Sequence, residues 1–330
     1  MIALRLLAMV AAGTLSLAAA LLAITSLAGD RDGRADAAAS FAPYVLCMAA
    51  AGALLGWGAF GPGAPAKVLF GLSAVGAGLS LANVAPELLR LRLASGKDPP
   101  VLRLLSINLY WKNPIGEQAV AAILECDADA VVLQEAGRRL VGALAGLEAR
   151  YPHVAACAHL GLRIYSKPPI IAQWCNCERA DTPRGRLLTA TVALADGSTV
   201  TLATTHFSHP YRGDAQARER KALAAAVSTL EVGRLILAGD FNTTPWSYGM
   251  RRQDRMLAPL RRWTIAWFTW PARAPRNLAW PLPLLPIDHV YAGPAWSQVR
   301  LRRVRVPGSD HFATEAVFCL ASNEGHGRRG

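Results

Sequence analysis

The chain has 330 residues, of which 52% are hydrophobic and 18% charged, and its 35 Lys+Arg outnumber 23 Asp+Glu for a net charge of +12. The length accommodates two or three domains. The apolar content is too high for an ordinary soluble protein, and the excess is local, which excludes a uniformly soluble chain.

The excess sits in the first ninety residues. Leu6–Ala28, Ala37–Gly63 and Val68–Pro86 contain no charged residue, and each meets the roughly 20-residue length that spans a hydrocarbon core. A signal-peptide core of about 7–15 residues is shorter than the first run, and two more runs follow. The runs are rich in Ala and Gly, which lets membrane helices approach closely. Residues 1–94 are therefore predicted to form a compact three-helix transmembrane unit, with helices at about 6–28, 37–63 and 68–86. No ionisable residue lies inside a run, so a transport or proton-relay role has no support.

Three crossings place the amino terminus and the rest of the chain on opposite sides of a multi-pass inner-membrane protein. Arg31, Arg34, Arg90, Arg92 and Lys97 flank the side of the carboxy-terminal domain; Arg5 and Lys67 flank the other. Positive residues favour the cytoplasm, so the charge bias leans toward a cytoplasmic domain. Cys47 falls in a membrane run. Cys126, Cys157, Cys175, Cys177 and Cys319 are odd in number and lack zinc-ligand spacing, which fits a reduced compartment better than a disulfide framework.

Ser95–Pro100 reads as a linker. Seven basic and five acidic residues precede position 101, leaving 28 and 18 beyond it and +10 of the net charge. Such a domain suits a polyanion or an anionic membrane surface. Strands are predicted at 101–107, 130–133, 160–165, 170–174, 187–194, 199–205, 235–239, 287–291, 301–306 and 313–319. Helices are predicted at 115–125, 138–149 and 214–230, and Pro245 is placed to open another. Asp196-Gly197 marks a hairpin. Strands mixed with outer helices imply a mixed-sheet α/β domain over 101–320, followed by a disordered tail at 321–330.

Polar residues of catalytic type recur where the apolar strands stop: Asn108, Glu135, His206, Asp240, Asn242, Asp288, Asp310 and His311. Ligand sites of open α/β sheets gather at strand ends. Carboxylates and amides suit a hard, oxygen-binding cation such as Mg²⁺, not a structural zinc. Alternation along an extended backbone would project Asp240 and Asn242 from the same side of their strand, although Gly, Asp and Asn also suit a plain turn.

Ser106-Ile-Asn108, Leu133-Gln-Glu135, Thr205-His206, Gly239-Asp-Phe-Asn242, Pro286-Ile-Asp288-His289 and Ser309-Asp-His311 follow one another in an order that resembles the endonuclease/exonuclease/phosphatase (deoxyribonuclease I-like) superfamily. The resemblance covers about residues 101–320 and implies a two-sheet α/β sandwich with its site at one end of the sheets. It implies that Glu135, Asn108 and Asp310 ligate Mg²⁺, with Mn²⁺ as the alternative cation. It further implies that Asp240 orients or deprotonates the attacking water and Asn242 holds phosphoryl oxygens. His311, oriented by Asp288, and His206 would contact the scissile phosphate. The expected activity is metal-assisted hydrolysis of a phosphoester or pyrophosphate by in-line water attack.

The substrate is less legible. Residues 246–280 hold Trp246, Trp263, Trp267, Phe268, Trp270 and Trp280 among Arg251, Arg252, Arg255, Arg261, Arg262, Arg273 and Arg276. These residues suit nucleic-acid stacking, a membrane interface, or simply a core. The membrane unit favours a lipid-linked phosphate and the bilayer as partner, and the arrangement resembles bacterial membrane-bound superfamily members associated with teicoplanin resistance. A membrane-tethered nuclease is the alternative, and a non-catalytic binding module a lesser one. Nothing in the sequence points to a protein partner.

Overall fold

The computed structural model describes residues 2–90, 100–176, 186–273, 278 and 280–320. Most of the expected linker, Arg92, Lys97, Cys177, Arg276 and the tail at 321–330 lie outside the described residues. The chain divides into two compact units. One comprises Met1–Arg90 with His209–Ala217 and Thr243–Arg252; the other comprises Leu91–Ser208, Arg218–Asn242 and Gln253–Gly330.

In the first unit, helices α1 (Ile2–Leu27), α2 (Gly33–Ala39), α3 (Ala42–Phe60) and α4 (Ala64–Leu88) follow one another. Helices α1, α3 and α4 are long and apolar enough to cross a membrane. Their contacts are made by small residues. A Cβ on Gly52 would meet Ser16 at 2.5 Å, and one on Gly76 would meet the Ala19 backbone at 2.9 Å. Ser73 Oγ donates to Ser16 Oγ (3.0 Å) and Asn83 Nδ2 to Ser26 Oγ (3.2 Å). Leu6, Leu7, Val10, Leu21, Val68 and Phe70 point outward. Small residues inside and large apolar ones outside is the pattern of helices packed in lipid. The run expected as one helix over 37–63 is broken. Helix α2 ends at Ala39 and α3 restarts at Ala42 with Pro43 in its first turn, where the missing N–H has no partner to lose.

The second unit contains two six-stranded sheets. The first is built from β1 (Pro100–Asn108), β2 (Ala130–Gln134), β3 (His153–Cys157), β4 (Leu162–Ser166), β11 (Trp296–Arg305) and β12 (Phe312–Leu320). Its order is β11-β12-β1-β2-β4-β3. The second is built from β5 (Ile170–Asn176), β6 (Leu187–Ala193), β7 (Thr199–His206), β8 (Leu235–Asp240), β9 (Arg261–Arg262) and β10 (Asp288–Ala292). Its order is β5-β6-β7-β8-β10-β9. Pairs β1/β2 and β7/β8 are parallel; the other pairings are antiparallel. Together with the three long apolar helices, this is the expected two-sheet α/β sandwich.

Alternation assigns the faces. Leu102 and Leu104, Ala130 and Val132, Val200 and Leu202, Ile236 and Ala238, and Val290 and Ala292 fill the core between the sheets. Leu105, Ile107, Val131 and Leu133 face the other way, onto a second core with α5 (Gly116–Glu125) and α6 (Val141–Leu144). The helix expected over 138–149 is instead a four-residue α6 between two 3₁₀ turns. Gly142 and Gly146 within it have low helix propensity.

The even-numbered positions that build the inter-sheet core continue along each strand, directly into Asp240 and by way of Ser106 and Thr204 into Asn108 and His206. The antiparallel β10 brings Asp288 to the same end from its own first residue. Period-two geometry thus turns an apolar core into a polar rim without any change of backbone direction.

The structure corrects the expectation of reduced cysteines, because Cys157 and Cys175 form a disulfide with a Cα–Cα separation of 5.9 Å. Cys157 ends β3 and Cys175 lies in β5, the edge strands of different sheets. Sequence spacing carries no sign of that juxtaposition. Strands β3 and β9 lay outside the sequence reading, whereas helix α7 (Gly213–Val227) answers the one expected over 214–230 and helix α8 (Tyr248–Met256) the one expected to open at Pro245. Helix α8 starts at Tyr248, three residues beyond Pro245, and buries Met250 within an otherwise Arg/Gln/Asp-rich sequence.

Candidate active site

Strand register assembles the centre. His206 pairs with Asp240 across β7/β8, and Asp288 pairs with Asp240 across β10/β8. In the other sheet Asn108 pairs with Gln134, so Glu135 follows directly beyond the row. Gly239 is what allows β8 to run so close to β7: a Cβ there would lie 2.1 Å from the Thr205 carbonyl oxygen. Gly239→Ala is expected to destabilise the fold by about 1–3 kcal/mol through overpacking against backbone. Thermal unfolding of the full-length variant, read by near-UV circular dichroism, checks this.

Asp240 is the hub. Its carboxylate is 1% exposed. Around Oδ2 lie Asn108 Nδ2 at 3.0 Å, Asn242 Nδ2 at 3.3 Å, His206 Nε2 at 3.5 Å and His311 Nε2 at 3.7 Å. Oδ1 accepts the Asn242 backbone N–H at 2.8 Å. The strand ends at Asp240, and Asn242 has φ +47°. Strand alternation therefore does not align the two side chains. A tight turn does, closed by the Asp240 carboxylate itself, so the turn chemistry and the polar pair noted in the sequence are the same feature. Asn242 Nδ2 also donates to the Phe207 carbonyl at 2.9 Å and lies 3.4 Å from His206 Nε2.

On the other sheet, Asn108 Nδ2 also donates to Glu135 Oε1 at 3.2 Å, and the Trp111 N–H donates to Glu135 Oε2 at 2.7 Å. Glu135 has φ +55°, a left-handed conformation uncommon for a side chain of this size. His206 Nε2 is 3.7 Å from Glu135 Oε1, which links the two sheets' contributions.

The third group is Asp288 with His311. His311 Nδ1 lies 2.8 Å from Asp288 Oδ2, and Thr269 Oγ1 donates to the same oxygen. Ser309 Oγ donates to the Asn108 carbonyl (2.6 Å) and accepts the His311 N–H (3.0 Å). Ser309 lay within a recognised motif but had no role there. Thr269 sits in an irregular segment 19 residues from Asp288 and carries no sequence signal. Asp310 is held by the irregular segment before Asp288: Trp270 Nε1 donates to its carboxylate at 3.3 Å, and its backbone carbonyl accepts from Ala272 at 2.7 Å.

Electrostatics follow burial. Desolvation pushes Asp240 up to about 7, against the opposing pull of His311 and with a further push from Asp288. Burial alone would lower His311, but Asp288 and Asp240 beside it prevail and raise it to about 10. The centre is thus a buried, acid-rich cluster that gains from positive charge. Asp240, Asp288 and His311 offer ligand atoms within 4.8 Å of one another. Glu135 adds carboxylate oxygens beside them, whereas Asn108, expected as a ligand, turns Nδ2 to the centre and its Oδ1 accepts the Tyr110 N–H at 2.9 Å. With its oxygen donors supplemented by imidazoles and with no thiolate among these residues, this set fits a hard divalent cation.

A family model described as Endonuclease/Exonuclease/phosphatase family matches residues 105–311, and the chain belongs to that family. None of the curated proteins compared matches the chain. Among solved structures, the chain is similar to an endonuclease/exonuclease/phosphatase from Beutenbergia cavernae, at 19% identity over 68% of this chain and 72% of that one, with a TM-score of 0.50. It is also similar to D. rerio TDP2 complexed with single strand DNA product, at 16% identity over 66% of this chain and 98% of that one, with a TM-score of 0.52. These likenesses show the deoxyribonuclease I-like fold. Family membership places the chain among hydrolases of phosphoesters, a family that generally depends on divalent metals.

Proposed function

We propose that the protein is a membrane-anchored, Mg²⁺-dependent phosphoesterase that hydrolyses a lipid-linked phosphoester or pyrophosphate by in-line attack of water. The observation that carries this reading is the convergence of Asn108, Asn242, His206 and His311 on one buried oxygen of Asp240. An oxygen so surrounded is positioned to take a proton from water while the surrounding donors face the phosphoryl oxygens.

Each residue then has a task. Asp240 orients the attacking water and accepts its proton. Asn242 Nδ2 and His206 hydrogen-bond the non-bridging oxygens. Asp288 engages His311 Nδ1, which leaves Nε2 turned to the reacting side to hold the phosphoryl group and deliver a proton to the leaving oxygen. Asn108 Nδ2 steadies the Glu135 carboxylate, and Glu135, with Asp310, would hold the cation. When bound, it neutralises charge that develops on the phosphoryl oxygens. The Trp270 bond to Asp310 would fix that carboxylate's direction.

The lipid preference rests on two features. Three helices are long and apolar enough to anchor the chain in a bilayer. The segment that leads back to Asp288 exposes Leu278, Trp280, Leu282 and Leu284, an apolar group near the residues that engage Asp310. The arginines of this region are largely committed to structure. Arg262 is buried against Asp254, and Arg251 and Arg252 bond Asn83 and Asp30. Arg273 is stacked over the Tyr110 ring at 4.0 Å. That stacked pair, two residues from Asn108, and the basic charge of the domain support the second reading, a membrane-tethered nuclease. Full-length protein in nanodiscs with Mg²⁺, offered polyprenyl pyrophosphate, sphingomyelin and single-stranded DNA separately, tests the choice. Cleavage confined to DNA would sink the lipid reading.

The Cys157–Cys175 disulfide favours an oxidising compartment for the catalytic domain, against the charge bias. Alkylation of intact cells before and after reduction is expected to label these two thiols only after reduction. Labelling of both without reductant would return the domain to the cytoplasmic side.

A further inference from the structure

The amino-terminal unit contains more than its apolar helices. Segments His209–Ala217 and Thr243–Arg252 pack within it. Thr243 is bonded directly to Asn242, and His209 lies three residues beyond His206. Both segments therefore leave the proposed catalytic centre and are held by the unit that the sequence presented as an anchor.

The strongest hold is Asp36 on the short helix α2. It is 5% exposed. Its Oδ1 accepts the Tyr248 N–H at 2.7 Å and its Oδ2 accepts the Gly249 N–H at 2.8 Å. These belong to the first turn of α8, where backbone N–H groups have no helical acceptor and the helix dipole favours a negative charge. A carboxylate taken out of water costs stability unless its oxygens are satisfied, and here both are engaged by one backbone segment 212 residues away. Just upstream, Trp246 Nε1 donates to the Ser40 carbonyl at 2.9 Å, and Thr243 Oγ1 donates to Gln216 Oε1 at 3.2 Å. The second bond ties the two held segments to each other. Gly33 of α2 and Gly213 touch backbone to backbone; a Cβ on Gly33 would lie 2.3 Å from the Gly213 Cα.

We propose that Asp36 is a positioning residue for hydrolysis. By fixing Tyr248 and Gly249 it sets the path of residues 243–249, and through that path the left-handed turn that presents Asn242 beside Asp240. The amino-terminal helices then serve catalysis as well as anchorage. This rests on the phosphoesterase reading above.

The test uses full-length protein in nanodiscs, with Mg²⁺ and bis(p-nitrophenyl) phosphate as the phosphodiester probe. Asp36→Ala removes both acceptors; Asp36→Asn keeps one. A loop displacement of this kind is expected to lower kcat by about 10–100-fold in Asp36→Ala, with KM little changed and an intermediate kcat in Asp36→Asn. Hydrogen exchange is expected to rise in peptides covering residues 241–250 while those from α1, α3 and α4 keep their protection. Unchanged exchange at 241–250, or wild-type kcat in Asp36→Ala, overturns the proposal. Loss of protection throughout the apolar helices also overturns it, since the role would then be general stability. If the wild type itself does not hydrolyse the probe, the phosphoesterase reading fails. The exchange data still decide whether Asp36 holds the segment, and Trp246→Phe, which removes one neighbouring bond, provides a second variant that should loosen the same peptides.

Discussion

Asp240→Asn is expected to reduce turnover of a phosphodiester by about 10²–10⁴-fold, the range attributed to a positioned general base. The substitution preserves side-chain shape and can still accept the Asn242 N–H that closes the turn. It removes the charge that receives a proton, and it sets an amide where Oδ2 now meets Asn108, Asn242, His206 and His311. The fold should survive, because neutralising a buried carboxylate removes a desolvation cost that offsets the disturbed hydrogen bonds. Steady-state kinetics in nanodiscs together with a thermal melt separate the two effects. A melting temperature close to wild type with lost kcat supports the proton-accepting role. Full activity would exclude it.

Glu135→Gln is expected to have the second large effect. A cation that polarises a phosphoryl oxygen contributes several kcal/mol to the transition state, so loss of its main ligand should cost about 10³-fold or more in metal-dependent turnover. Gln retains an oxygen that can accept the Trp111 N–H, now bonded to Oε2 at 2.7 Å, so the loop should keep its course. A ligand that binds only the folded state raises its apparent stability. The wild type should therefore gain melting temperature on Mg²⁺ addition, and Glu135→Gln should not. A retained Mg²⁺ response with retained turnover would remove Glu135 from the metal site.

These two residues also show how legible the site was. Asp240 and Glu135 were marked by a local pattern, a polar residue at the point where an apolar run stops. That pattern has a geometric basis. Strand alternation puts Asn108, His206 and Asp240 at the same parity as the inter-sheet core residues of their strands, so core parity and site parity are one periodicity. The relation between Asp240 and Asn242 is set by a turn, which strand periodicity does not encode. Alternation was the wrong reason for their proximity, because the strand ends at Asp240 and a side-chain-closed turn brings Asn242 back.

Other parts had no local signal at all. Thr269 bonds Asp288 from an irregular segment, and irregular backbone has no period to read. The cap on the first turn of helix α8, Asp36, lies 212 residues away in the chain. Cys157 and Cys175 meet only because the edges of two sheets do.

The sequence by itself determined three apolar runs, most strands of a mixed-sheet α/β domain, and the identity of the polar residues at their ends, because each of these is a short-range pattern or its interruption. The two-sheet sandwich came from the resemblance of the ordered motifs to the superfamily. The tertiary structure alone decided which of those residues share one carboxylate oxygen, which cysteines pair, and that the segments leaving His206 and Asn242 are held by the amino-terminal helices. Those relations depend on strand register and on contacts between residues far apart in the chain, and no local pattern encodes them.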